Sequence, residues 1–247
     1  MDSDSNARSA AEFQPLYAQV KALITRRIAS GEWKPGIMIP NEFQLASEYK
    51  VSQGTVRKAL IALEAERLIV RRQGRGTYVA RHTSERALFH FFRIVDLDDR
   101  RIEPWSRTLS QKSITATHLL ATQLEIEPGT PLHFITRIRC LKNIPAIYEQ
   151  IYTPVWMMPD LKITTDAQMV DEMYVIYQDQ YGLTIAHASE RIAAVAAAAE
   201  EARLLDIAEA TPLLEITRVA RDVSNVAVEL RISRCRADLF RYAVELN

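Results

Sequence analysis

The chain has 247 residues, 48% of them hydrophobic and 25% charged, with 31 Lys and Arg balanced by 31 Asp and Glu. That composition suits folded globular domains and excludes a disordered or low-complexity chain. The longest run of small apolar residues, 193 to 199, is too short to span a bilayer, and the first fourteen residues hold no secretory signal core, so a cytoplasmic protein without a membrane partner is expected. Cys140 and Cys235 make no disulfide framework, and His82, His90, His118, His133 and His187 show no ligand-like spacing. No metal and no cofactor is assigned.

Residues 1 to 14 read as a flexible tail. Leu16, Val20, Leu23, Ile24 and Ile28 then form a one-sided stripe at helical spacing that stops at Ser30-Gly31. Pro35-Gly36 and Pro40 forbid helix until Asn41, a good N-cap. A second helix runs from Glu42 to Tyr49 with Leu45, Ala46 and Tyr49 inward. Ser52 caps a third, whose buried face is Val56, Ala59, Leu60 and Leu63 and whose other face carries Gln53, Gly54, Arg57 and Lys58. The β-rich runs Leu68 to Arg71 and Thr77 to Val79 join at a tip, Gln73-Gly74-Arg75-Gly76. Three helices and a hairpin are the layout of a winged helix-turn-helix over residues 15 to 81. In such a unit the third helix enters the major groove with its N-terminal residues at the base edges. Glycines let the wing approach a phosphate, and Arg75 can bind phosphate or enter the minor groove. Charge agrees: residues 1–80 hold 12 Lys and Arg against 8 Asp and Glu, whereas residues 81–247 hold 19 against 23. A neutral whole hides a basic head.

The ordered runs Pro15-Leu16-Tyr17, Gly31-Glu32-Trp33-Lys34-Pro35-Gly36, Pro40-Asn41-Glu42, Val51 to Leu60 and Gln73 to Val79 resemble the DNA-binding domain of GntR-type bacterial transcription regulators. The resemblance implies DNA contacts from Tyr17, Asn41, Ser52, Gln53, Gly54, Thr55, Arg57, Lys58, Gln73, Gly74, Arg75, Gly76 and Thr77. Two positions depart from the family pattern. Phe43 and Gln53 stand where relatives commonly carry DNA-contacting arginines, so a relative's operator sequence does not transfer.

After a linker at residues 82 to 87, residues 88 to 247 read as mixed α and β, enough for one further core. Strand patterns occur at Leu88 to Val95, Arg107 to Thr115, Leu132 to Leu141, Ala146 to Tyr152, Arg191 to Ala197, Leu213 to Asp222 and Val226 to Cys235. Helical patterns lie at His118 to Leu124, Asp171 to Tyr181 and Ala199 to Ile207. Lys142-Asn143-Ile144-Pro145 and Val223-Ser224-Asn225 look like hairpin turns, which imply antiparallel pairing. The fold class is therefore α+β: a winged helix-turn-helix plus a mainly antiparallel sheet with packed helices. A helix, then Pro128-Gly129-Thr130-Pro131-Leu132 and Ile135-Thr136-Arg137, is echoed by a helix, Ala210-Thr211-Pro212-Leu213 and Ile216-Thr217-Arg218, an internal repeat of helix plus hairpin.

Glu127 to Leu132, Arg137-Ile138-Arg139, Glu149 with Tyr152, Tyr181-Gly182, Pro212-Leu213-Leu214, Val228-Glu229 and Arg236-Ala237-Asp238 resemble a UTRA domain, the effector-binding module of the HutC branch, which is similar in fold to chorismate lyase. Arg137 and Arg139 share one face of a strand, with Glu149 on the hairpin partner. On spacing alone this is equally an ion-pair ladder on a solvated face. The resemblance implies a pocket built from Arg137, Arg139, Glu149 and Glu229, with Tyr174 and Arg236 nearby. It also places Glu172 where phosphosugar-binding relatives tend to have a serine, and a carboxylate there repels phosphate. The function expected is a homodimeric, ligand-responsive regulator: a repressor of a catabolic operon, released from a palindromic DNA operator by a small carboxylate-bearing effector. Two other classes fit the same residues, a chorismate-lyase-like enzyme and an architectural DNA-binding protein whose second domain only dimerises.

Overall fold

The computed structural model describes residues 14–81, 91–163, 168–170 and 173–245. Two compact units divide the chain, Met1–Val79 and Ala80–Asn247. In the first, α1 (Leu16–Ala29), α2 (Glu42–Tyr49) and α3 (Gln53–Ala65) precede an antiparallel hairpin of β1 (Ile69–Arg72) and β2 (Gly76–Val79). Local chemistry sets these boundaries. Asn41 Oδ1 accepts from the Gln44 amide and Gln44 Oε1 from the Asn41 amide, each at 2.9 Å, a complete capping box at α2. Ser52 Oγ accepts from the Thr55 amide at 3.1 Å and starts α3. The core is Val20, Ile24 and Ile28 of α1 with Leu45, Val56, Leu60 and Leu63. Only the central line of the α1 stripe is buried, and Leu16 and Leu23 at its margins are exposed.

In the second unit, β3 (Ile94–Asp96) pairs with β11 (Phe240–Tyr242) as a small separate sheet. The main sheet contains β4 (Trp105–Thr115), β5 (Pro131–Leu141), β6 (Ile144–Pro154), β7 (Gln168–Val170), β8 (Ile185–Ala196), β9 (Pro212–Asp222) and β10 (Ala227–Arg236). Its order is β7-β4-β5-β6-β10-β9-β8, and every pairing is antiparallel. The helices are α4 (His118–Leu124), α5 (Met173–Tyr181) and α6 (Ala199–Leu205). The strand expected over Leu88 to Val95 is reduced to β3: Phe91 to Arg93 are not strand, and residues 88 to 90 lie outside the described residues. Lys142 and Asn143 alone make the β5–β6 turn, both at positive φ, and Ile144 and Pro145 already belong to β6.

The repeat is a pseudo-two-fold. Positions 81 residues apart correspond: His118 to Ala199, Leu124 to Leu205, Pro131 to Pro212. Glu125 and Asp206 both end their helices at φ 55°, and Thr130 and Thr211 Oγ1 both donate to the carbonyl three residues back, at 2.6 and 2.7 Å. The axis passes between the central strands β6 and β10. One sheet face is covered by α4 and α6 through Leu124, Leu132, Leu205 and Leu213, the other by α5 through Met173, Tyr174 and Tyr177 against Ile135, Ile151 and Ala220.

Candidate functional site

On the first unit, the outward side of α3 presents Gln53, Gly54 and Lys58, all exposed. Arg57, 59% exposed at its side chain, donates through Nε and Nη2 to Glu42 Oε2 at 2.9 and 2.8 Å, which raises its pKa and fixes its direction. Arg71 of β1 lies 3.7 Å from Glu42 and 3.5 Å from Glu64, tying wing to helices. Asn41, Ser52 and Thr55 are engaged in capping, Ser52 Oγ also meeting Thr55 Oγ1 at 2.9 Å. At the wing, Gln73 and Arg75 are exposed and Thr77 is half-buried. Gly74 and Gly76 sit at φ +69° and +105°, which disfavours a side chain at either, and a Cβ at Gly76 would also press on Met38 Sδ at 3.0 Å. Tyr17 is exposed on the first turn of α1. Cations and donors thus occupy one helix face and one loop tip, the arrangement that meets a groove and its phosphates.

In the second unit the sheet face under α5 carries charges in two adjacent rows. Arg137 of β5 pairs with Glu149 of β6, which pairs with Ser233 of β10; the next row runs Ile151, Arg231, Arg218 and Glu190 across β6, β10, β9 and β8. This face is buried, with Arg137, Arg139, Glu149, Glu229 and Arg231 at most 3% exposed, so the ladder on a solvated face does not describe it. Glu149 accepts from Arg137 Nε at 2.6 Å and from Ser233 Oγ at 2.8 Å, with Arg139 and Arg231 at 3.6 and 3.7 Å. Glu229 accepts both Arg231 bonds at 2.9 Å, the Tyr177 hydroxyl at 2.8 Å and the Tyr174 hydroxyl at 3.2 Å. Burial, reinforced by the Glu229 charge, raises Tyr174 to about 12 and Tyr177 well above its ordinary value, so both hydroxyls keep their protons.

A short strap closes this face. The Phe92 ring stacks on the Arg139 guanidinium at 4.4 Å, and Phe91 meets Tyr174 edge-on at 5.1 Å and lies 6.0 Å from Arg218. Arg218 donates to the Phe91 carbonyl and, at 2.7 Å, to Glu190, which also accepts from the Tyr242 hydroxyl. A cavity of about 20 Å³ remains beneath Phe92, lined by Arg139, Glu149, Arg218 and Ser233, room for about one water. Beside the strap, Phe91, Arg93, His187, Glu190 and Arg218 line an open cleft of about 330 Å³. Arg137, Arg139, Arg218 and Arg231 outnumber Glu149, Glu190 and Glu229, so the face favours an anion.

Residues 16–79 match the family profile of bacterial regulatory proteins, gntR family, and residues 99–241 match the UTRA domain. Over 206 residues the chain is 32% identical to the mannosyl-D-glycerate transport/metabolism system repressor MngR of Escherichia coli (strain K12), with 82% of this chain and 83% of that protein covered. The chain belongs to the GntR family. It is also 29% identical over 224 residues to the histidine utilization repressor of Klebsiella aerogenes, covering 88% of this chain and 89% of the relative. PhnF from Mycobacterium smegmatis has a similar fold, with a TM-score of 0.54 at 24% identity over 92% of this chain and 99% of that one. As a HutC-like GntR protein with a UTRA domain, the chain is a transcription regulator and not an enzyme, which sets the lyase alternative aside.

Within this GntR chain, the structure brings Arg137, Arg139, Glu149, Tyr174 and Glu229 to one face. Arg236 is not among them. It lies at the end of β10, donating to Asp238 at 2.7 and 3.1 Å. Glu172 lies outside the described residues. Arg218, Arg231, Glu190, Ser233 and the strap were not singled out from sequence, although the repeat carried the signal: Arg218 corresponds to Arg137, and their hairpin partners Arg231 and Glu149 correspond too. Among the described residues no group of three or more His, Cys, Asp or Glu could hold a metal ion, and no helix is long and apolar enough to cross a membrane.

Proposed function

We propose that this GntR protein is a cytoplasmic homodimeric repressor of a catabolic operon, with a DNA-binding head at residues 15–81 and an effector domain at 88–247, released from a palindromic operator when a carboxylate-bearing metabolite binds the buried arginine face. The observation that supports the ligand class is the cluster itself: four guanidiniums from three strands, three of them facing cavities, with fewer carboxylates to balance them. Two relatives are named for mannosyl-D-glycerate and for histidine, both carboxylic acids. A metabolite needs several hundred Å³, so binding requires Phe91 and Phe92 to leave the arginines, joining the small cavity to the open cleft. That strap lies ten residues along the chain from Arg81, where the proposed head ends, which supports it as a route by which occupancy reaches DNA. The long edge strand β8, whose Ile192, Ala193 and Ala194 are exposed, supports a dimer contact in the second unit.

The test is a thermal-shift screen of carboxylic-acid metabolites on the full chain, followed by operator release measured by fluorescence anisotropy. A hit that raises the melting temperature and releases DNA is expected. If no acid does either, the second unit serves only to dimerise, and the architectural reading replaces this one.

A further inference from the structure

Three features at the reading face of the head are not explained by folding. Phe43, on the first turn of α2, is 68% exposed, and it adds nothing to the core. Its neighbour Glu42 binds Arg57, which holds that turn of α2 against the outward face of α3. Gln53 opens α3 exposed, and its side chain makes no hydrogen bond among the described residues. Next to it, Gly54 weakens a helix without any packing need for glycine, since an added Cβ would meet only Ser52 Oγ at 3.7 Å. The result is an unencumbered amide and a cleared backbone at the end of α3 that meets base edges, with an apolar ring on the turn of α2 whose Glu42 holds Arg57.

Each of these has a defined partner in the major groove. A glutamine amide accepts from adenine N6 and donates to N7, and an aromatic ring packs on the thymine methyl, whereas guanine O6 and N7 call for arginine or lysine. We propose that Gln53 and Phe43 make this head a reader of A·T pairs, Gln53 taking an adenine and Phe43 a thymine methyl in the same half-site. Arg57, clamped by Glu42, supplies the adjoining cationic contact. The proposal rests on α3 being the recognition helix.

Selection from a pool of random duplexes, carried out with the full chain and its variants, tests it. The wild type should enrich a half-site with one column fixed as adenine and a second as thymine. Gln53→Arg should change the first column to guanine and leave the others alone. Phe43→Ala should relax the second by about tenfold. Replacing that thymine by uracil, which removes only the methyl, should weaken the wild type several-fold and leave Phe43→Ala unaffected. Variants that enrich the wild-type site unchanged, or a wild type that fixes guanine opposite Gln53, overturn the proposal while leaving α3 as the reader. A wild type that enriches no sequence overturns it together with that reading.

Discussion

Replacing Arg139 by alanine separates ligand binding from folding, because the buried arginines are held unequally. Arg137 donates to Glu149 at 2.6 Å, and both side chains are at most 4% exposed. Its removal strips a buried carboxylate of its closest partner, at about 3–5 kcal/mol, or roughly 6–20 °C at 2–4 °C per kcal/mol for a unit this size. Arg139 is 3.6 Å from the same carboxylate and stacks on Phe92. Arg139→Ala leaves Arg137 and Ser233 on Glu149 and gives up the longer ion pair together with the ring stack, the stack at about 1–2 kcal/mol, so it is expected to cost less than Arg137→Ala and to leave the protein folded. A carboxylate ligand that loses this guanidinium loses roughly 2–5 kcal/mol, or about 30- to 4,000-fold in Kd. Melting followed by circular dichroism gives the first quantity, and anisotropy of a labelled operator titrated with the metabolite hit gives the second. The expected phenotype of Arg139→Ala is a folded protein that holds its operator and ignores the inducer, while Arg137→Ala melts much earlier. An Arg139→Ala protein that melts and responds like the wild type would refute the pocket.

Three further outcomes follow from the same geometry. Arg57→Ala and Arg75→Ala should each weaken specific DNA binding by roughly tenfold or more at one fixed salt concentration; unchanged operator affinity in both would remove α3 and the wing from the reading surface. Residues 81–247 alone should remain dimeric in light scattering, and a monomer there beside a dimeric full chain would move the interface to the head. Phe92→Ala should tighten metabolite binding by removing the ring that covers Arg139. Isothermal titration checks this, and weaker binding would mean that Phe92 contacts the ligand instead of competing with it.

The head was legible because its signals are local. Asn41, Ser52 and the Val56–Leu63 face are set by neighbours within a turn, and the structure places caps and core on those residues. Arg137, Arg139 and Glu149 were legible as a group because positions two apart share a strand face and a two-residue turn fixes the register that opposes Arg137 to Glu149. Arg218, Arg231 and Glu190 were not, because they arrive from β9, β10 and β8 through the sheet order, which hairpin signals do not determine. Whether the face was solvated or buried was equally open: alternation identifies a face, but only the packing of α5 and the strap decides what covers it. Phe91 and Phe92 read as strand because aromatic runs favour strands, yet their rings are used to cover guanidiniums.

Coupling between the two units is tested most directly by measuring operator affinity with and without saturating metabolite, and metabolite affinity with and without operator, on the same full-length preparation. Linkage requires one factor in both directions. The account predicts that the metabolite weakens operator binding and that operator weakens metabolite binding by the same ratio, with Arg139→Ala abolishing both effects. Operator affinity that is unchanged at saturating metabolite would contradict it.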